Sequence, residues 1–401
     1  MGHPLLGVAK ELAPHFAETA GDWDHTRSYC WPNVRAMADA GLMGMTIPKS
    51  LGGQGASYLD AVMVIEELAK ACTLTARIFV EANMGGISAV MSYGTQAQKT
   101  FCAPHVLAGD KPAICITEPD AGSAATQMQT TARKHGDTYV LNGSKHWITG
   151  GGVSKLHLIF ARVLSETGED QGIGGFILYA DPASGDLPQG YTIVRHERTM
   201  GLCGMPEAEL RFDNLEIHEK WLLQPPSGLK RGFADLMNAY NSQRVGAGTV
   251  AMGVAAGALE HAKRYLLERH QFGRPLAEFQ GLQWIVADMD TQVHAARLML
   301  HDAATSGGPF PDMTKAARAK LFASEMAIKV VSDALQMFGA RGYGDQEPLE
   351  RMYRDVRMFT IGGGTAQILR TQIAGNVLGI KTPQTRDGYG PSEPPLKLAA
   401  E

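Results

Sequence analysis

Arg77 and Glu81 are the only charged residues between Ala71 and Gln98, in a stretch of otherwise apolar or small side chains. On a helix their four-residue spacing sets guanidinium and carboxylate on one face. Two readings stay open. Turned toward a pocket, the Arg77 fork would receive two oxygens of a small anion. Turned toward Glu81 alone, it would form a helix pair contributing about 0.2–0.5 kcal/mol. A second stretch, Thr360-Ile361-Gly362-Gly363-Gly364-Thr365-Ala366-Gln367, has Gly363 at its centre, which cannot accept a proton. Gln243, in Tyr240-Asn241-Ser242-Gln243-Arg244, carries an amide that can orient a ligand but cannot serve as a carboxylate base. Thr117, Ser123 and Thr149 offer hydroxyls, Trp147 an aromatic wall and Arg269 a fixed cationic fork. Taken singly, Trp147 reads as a core aromatic and Arg269 as a solvated charge.

The elements that must position these groups change in texture along the chain. Residues 1–110 read as helical, with apolar residues at three- and four-residue intervals over 34–40 and 59–71. The turn Leu51-Gly52-Gly53-Gln54-Gly55 between them lacks the strand–GxGxxG–helix context of a dinucleotide loop. Residues 111–225 carry short β-rich segments (113–116, 138–141, 156–161, 174–179, 210–212), with turns expected at Gly136-Asp137 and Asn142-Gly143 and an antiparallel sheet implied. From 226 to 381 helical periodicity returns, and Gly246, Gly248, Gly253 and Gly257 fall inside one long helix. Each costs about 1 kcal/mol against Ala, so a closely packed neighbour is expected there. Residues 382–401 are rich in Pro, Gly and charge and read as a loosely held tail. The order is helical, β, helical: an α+β chain.

Bulk properties narrow the partners. A 401-residue chain can bury a large core, and its net charge of −4, with signs interspersed, argues against nucleic acid or an anionic membrane surface. No run approaches the roughly 18 apolar residues of a membrane span. The start of the chain lacks the basic and apolar regions of a secretory signal. Five cysteines without metal-type spacing read as reduced, mostly buried thiols of a cytoplasmic protein. Thirteen scattered histidines contain no HExxH pair, so no metal site is expected.

Nearly the whole chain resembles the acyl-CoA dehydrogenase superfamily, through several motifs in order. Gly41-Leu42-Met43-Gly44 with Leu51 to Gly55 resembles that family's first domain. The segment 116–123 resembles the loop that meets flavin and acyl-CoA, and 145–150 the segment whose Trp and Thr touch the flavin ring. The tract from Arg269 through Phe272 to Gln280 resembles the part that reaches FAD across a subunit interface. The resemblance implies a helical domain, a β domain and a C-terminal four-helix bundle, in a homotetramer built as a dimer of dimers. It implies FAD held by Ile114, Ile116, Thr117, Gly122, Ser123, Trp147 and Thr149, with Arg269, Phe272, Gln280, Gln336, Gly339, Thr365 and Gln367 completing the site. The groups suit a flavin, which needs donors at its polar edge and an aromatic wall against its rings.

In that family a Glu that takes the α-proton of the thioester stands where this chain has Gly363, and the alternative base position matches Gln243. Both lack a carboxylate. One subgroup, the 3-sulfinopropionyl-CoA desulfinases, resembles this chain at 362–372, at 240–248, at the Lys381–Tyr389 end and at Arg77. That resemblance implies hydrolysis to propionyl-CoA and sulfite without net flavin redox. It implies Arg77 on the sulfinate, Gln243 orienting sulfinate or water, and Ser123, Asn241 and Arg244 on the substrate. Two alternatives remain at this point: a dehydrogenase of a short or ω-acidic acyl-CoA whose base has moved, for example to Glu81, and a catalytically silent acyl-CoA-binding flavoprotein.

Overall fold

The computed structural model describes residues 3–185, 187–380 and Thr382. The expected tail and the Lys381–Tyr389 motif lie outside the described residues, apart from Thr382.

Six helices come first: α1 (Leu5–Thr26), α2 (Trp31–Asp39), α3 (Tyr58–Ala71), α4 (Thr73–Asn83), α5 (Gly86–Tyr93) and α6 (Gln96–Leu107). Local chemistry sets their ends. Ser57 and Asp60 form a capping box on α3, with the Asp60 N–H donating to Ser57 Oγ at 3.2 Å and the Ser57 N–H donating to Asp60 Oδ2 at 3.0 Å. Thr95 and Gln98 do the same for α6. Every residue of α4 is buried, Arg77 and Glu81 included, because the helix is enclosed on all sides.

The sheet comprises β1 (Ala113–Cys115), β2 (Thr131–His135), β3 (Thr138–Thr149), β4 (Leu156–Leu164), β5 (Asp170–Tyr179), β6 (Tyr191–Glu197), β7 (Glu207–His218) and β8 (Leu222–Leu223). Their order is β6-β7-β3-β2-β4-β5-β8, with β1 also on β4. Two pairings depart from the antiparallel expectation: β1 pairs with Leu158 and its neighbours, β2 with 162–164, and both run parallel to β4. They act as one interrupted strand, and the interruption throws residues 116–130 out as a loop. The sequence reading also missed β2 and β6, whose polar, largely exposed residues show little apolar alternation. Asn142-Gly143 is a bulge inside β3, not a turn. Gly143 takes φ 144 against Thr130, whose Cα would lie 2.7 Å from an added Cβ.

The remaining chain is helical: α7 (Gly232–Glu268), a small hairpin of β9 (His270–Gln271) and β10 (Arg274–Pro275), then α8 (Gln280–Ala304), α9 (Met313–Phe338), α10 (Ala340–Tyr343), α11 (Leu349–Val356) and α12 (Ala366–Leu378). Helices α7, α8 and α9 pack on one another and α12 lies along α9, making the four-helix unit. The glycines of α7 are where neighbours approach, as expected. An added Cβ at Gly246 would meet Met84 and Val80 near α4, at Gly248 the backbone of Lys320, and at Gly257 the backbone of Lys70. All five cysteines are free; four are buried and Cys203 half-buried. Among the described residues no helix is long and apolar enough to cross a membrane.

A Cβ at Gly253 would sit 2.7 Å from Ala69 Cβ and 2.9 Å from Glu66 O, whereas one at Gly7 in α1 would meet nothing within 4 Å. Gly253→Val is therefore expected to destabilise the protein by about 1–3 kcal/mol through overpacking. Gly7→Ala should instead stabilise it by up to about 1 kcal/mol. Thermal and urea unfolding of the two variants reads the opposite signs.

Candidate active site

A cleft of about 1020 Å³ opens where α4, the sheet, α7 and the 360–365 loop meet. Arg77 and Glu81 form its charged floor. Arg77 Nη2 lies 2.7 Å from Glu81 Oε1, and the other carboxylate oxygen pairs with Lys111 Nζ. Lys111 also donates to Thr149 O at 3.2 Å. The three charged groups form one buried chain of two cations on one carboxylate. Arg77 is 8% exposed and its Nε has no partner among the described residues. The Glu81 pair of the second reading is present, and Arg77 also lines the cleft where the first reading would have it. Glu81 has no free oxygen, which counts against it as a displaced base.

The 116–123 loop forms one wall. Buried Lys145 donates to Ile116 O at 3.0 Å and to Glu118 Oε1 at 2.8 Å. Glu118 also accepts from the Gln129 and Thr130 N–H groups at 2.6 and 2.9 Å. Burial works to raise the Glu118 carboxyl, but Lys145 and these donors outweigh it and hold it below the usual range. This pinning places Thr117, Gly122 and Ser123 at the cleft, beside Ile114 and Ile116. Trp147 follows in β3 at φ 59, in the left-handed region, with 52% of its surface bare although it lines the cleft. The His146 ring stacks on it at 4.9 Å. A bulky residue held at positive φ is strained, and such strain gathers at ligand sites.

The opposite wall is the Gly362-Gly363-Gly364 loop, and its three carbonyls are all held by cations. Lys320 Nζ donates to Gly362 O and Gly364 O, both at 2.8 Å, and Arg244 Nε donates to Gly363 O at 3.3 Å. Burial, with Arg244 and Arg77 near, pushes Lys320 down to about 7, while the two carbonyls favour its ammonium. A Cβ on Gly363 would have Lys320 Cε at 3.9 Å as its nearest neighbour, but the residue sits at φ 74. The space is open and the backbone suits glycine.

Gln243 lines the cleft, 2% exposed, with Oε1 unpartnered. Asn241 lies behind the wall: Arg244 Nη1 donates to its Oδ1 at 2.9 Å, and its amide donates to Asn238 at 3.2 Å. Thr365 and Thr149 line the cleft. The remaining expected cofactor residues do not converge there. Arg269, Phe272, Gln280, Gln336, Gly339 and Gln367 are exposed, Phe272 at 93%. Residues that sequence reasoning missed are Lys111, Lys320 and Glu207. Glu207 reads as an ordinary solvent-facing position of an alternating strand, and Lys320 as an ordinary helix charge. Thr149 Oγ1 donates to Glu207 at 3.0 Å, and burial pushes this carboxyl up to about 8 against the pull of Arg77 and Lys111. Elsewhere His146, Glu197 and Glu209 bring ligand atoms within 4.8 Å of one another. Arg195 already neutralises both carboxylates there, at 2.7 and 2.9 Å.

Residues 7–110, 113–215 and 230–378 match, in turn, the N-terminal, middle and C-terminal domains of acyl-CoA dehydrogenase. A 3-sulfinopropanoyl-CoA desulfinase of Variovorax paradoxus is 62% identical over 386 residues, 96% of each chain. One from Cupriavidus necator is 59% identical over 384 residues, again 96% of each. Among solved structures, butyryl-CoA dehydrogenase from Megasphaera elsdenii superposes with a TM-score of 0.85 at 31% identity, covering 94% of this chain and 98% of that one.

Removing the Lys320 ammonium leaves two carbonyls of the glycine loop without their donor. Lys320→Met is expected to cost about 1–3 kcal/mol and to loosen the loop. Amide exchange over residues 360–365 should accelerate more than the fall in global stability explains.

Proposed function

The chain belongs to the acyl-CoA dehydrogenase family, and from that premise we propose that it is a 3-sulfinopropanoyl-CoA desulfinase, cutting its substrate to propionyl-CoA and sulfite. The observation that carries this reading is a cation at the cleft floor facing a loop that has no base. Arg77 has an unpartnered Nε, while Gly363 supplies only backbone. A dehydrogenase needs a carboxylate to take a proton; a desulfinase needs a cation to hold a sulfinate. The two desulfinases at 59–62% identity point the same way.

FAD fits the residues present. Trp147 is a bare aromatic in a cleft, kept there at backbone cost, and Thr117, Ser123 and Thr149 set hydroxyls around it. Ile114, Ile116 and Gly122 complete that side. Thr365 lines the same cleft, whereas the exposed group of Arg269, Phe272, Gln280, Gln336, Gly339 and Gln367 would serve a second copy's site in a homotetramer. When bound, FAD supplies a planar wall and a hydride-accepting centre on which a hydrolysis makes no net demand.

The roles follow from chemistry. Arg77 receives sulfinate oxygens, its fork matching two of them as an ammonium would not. Gln243, whose Oε1 has no partner among the described residues, orients sulfinate or water through its amide. Ser123 and Arg244 hold the CoA arm, and Asn241 steadies Arg244 from behind. The C–S bond breaks, a water oxygen joins sulfur, and a proton joins the carbon; the sum needs no outside oxidant.

Two outcomes test this. Sulfite release should fall by at least about two decades in kcat/KM for Arg77→Ala, the order expected when a buried charge pair loses one partner, with Arg77→Lys also impaired. Near-normal turnover by Arg77→Ala would sink the sulfinate clamp. The purified protein should be yellow, yet butyryl-CoA should hardly bleach it, since a missing base lowers rate by about 10²–10⁴. Fast bleaching would return the chain to the displaced-base dehydrogenases.

A further inference from the structure

One carboxyl of the cleft has no part in this scheme. Glu207 opens β7, paired across to Thr149 of β3 and to Glu197 of β6. It lines the cleft with Arg77, and both of its oxygens lie 3.0 Å from Thr149 Oγ1. The Thr149 carbonyl in turn accepts from Lys111, so Glu207 is joined through one residue to the Lys111–Glu81–Arg77 chain.

Desulfination has a proton to move that Arg77 and Gln243 do not carry. When the C–S bond breaks, its electron pair stays on the β-carbon, which must gain a proton. The water whose oxygen bonds to sulfur must lose one. A guanidinium does not titrate in this range, and an amide does not act as acid or base. We propose that Glu207 is the proton-carrying residue of the cleft: its carboxylic acid protonates the β-carbon as C–S breaks, and its carboxylate then takes the proton from water. Acid and carboxylate alternate, so the residue ends each turnover as it began. This inference rests on the desulfinase reading.

The surroundings suit the task. Arg77 and Glu81 face Glu207 from α4, Lys111 from the segment before β1, Thr149 from β3 and Tyr240 from α7. Burial raises the carboxyl to about 8, more than the two cations lower it, so the acid form prevails at neutral pH. Tyr240 is also raised by burial and stays neutral beside it. Because the folded group titrates above its ordinary range, the working acid is present below about pH 8 and lost above it.

The test uses FAD-loaded wild type, Glu207→Gln and Glu207→Asp, with sulfite release from 3-sulfinopropanoyl-CoA measured between pH 6 and 9.5. Wild-type kcat should decline as pH rises through about 8. Glu207→Gln should lose about 10²–10⁴ in kcat with little change in KM, and its residual rate should no longer decline with alkali. Glu207→Asp, which keeps a carboxyl, should retain part of the rate and the alkaline limb. A folded Glu207→Gln with wild-type kcat, or a slow one that keeps the alkaline limb, overturns the proposal. Should Glu207→Gln fail to fold, a Glu207→Asp protein with an alkaline limb lost or wild-type kcat unaltered above pH 8 overturns it instead. Wild type that binds the thioester and releases no sulfite overturns the desulfinase reading and this inference with it, whereas sulfite release by wild type matched by Glu207→Gln overturns this inference alone. If wild type is bleached by butyryl-CoA and Glu207→Gln is not, Glu207 is a displaced base and the proposal falls.

Discussion

The buried ion chain Lys111–Glu81–Arg77 constrains the rest of the molecule. Two cations on one carboxylate leave an excess positive charge where water is scarce, and losing one partner of a buried pair commonly costs about 3–5 kcal/mol. The chain therefore demands that α4 be enclosed on every side and that the segment before β1 be brought against it. The α7 glycines allow that enclosure, since a side chain at Gly246 would strike Val80 and Met84. One helix, one strand edge and one long helix are thus fixed around a single cation that faces a cleft.

The far wall obeys a related constraint. Carbonyls of a tight glycine loop need donors, and Lys320 and Arg244 supply them to Gly362, Gly363 and Gly364. Those two cations hold the loop's carbonyls, and Gly363 leaves open the space a side chain would fill, with Lys320 Cε its nearest neighbour at 3.9 Å. The scaffold has kept the shape of a proton-abstracting site while its charge has become positive on both sides. An anionic substrate terminus suits such a cleft, and a carboxyl in it, such as Glu207, keeps its proton because burial outweighs the cations.

The third wall follows from strand arithmetic. Because β1 and β2 share one edge of β4, the chain between them must leave the sheet and return in the same direction. The Glu118–Lys145 pair anchors that excursion, and it delivers Thr117, Gly122 and Ser123 to the cleft. The Trp147 strain belongs to the same design: the β3 bulge between Lys145 and Ile148 turns the ring out of the sheet toward the cleft.

Whatever depends on local pattern and ordered motifs was legible in the sequence. It marked the helical, β and helical segments, the crowded α7 glycines, the lone Arg77–Glu81 pair and the two positions without a base. It misread Asn142-Gly143 because a bulge and a turn ask the same positive φ of glycine, and it missed β6 because a polar edge strand lacks apolar alternation. Convergence of distant residues was settled by packing. Lys111 lies thirty positions from Glu81, Lys320 more than forty from the glycine loop, and Glu207 nearly sixty from Thr149. No spacing rule links such pairs; burial does. Whether Arg77 serves the helix or the cleft was equally beyond the sequence, because a guanidinium has five donors and only the packed structure shows that Nη2 meets Glu81 while Nε has no partner among the described residues.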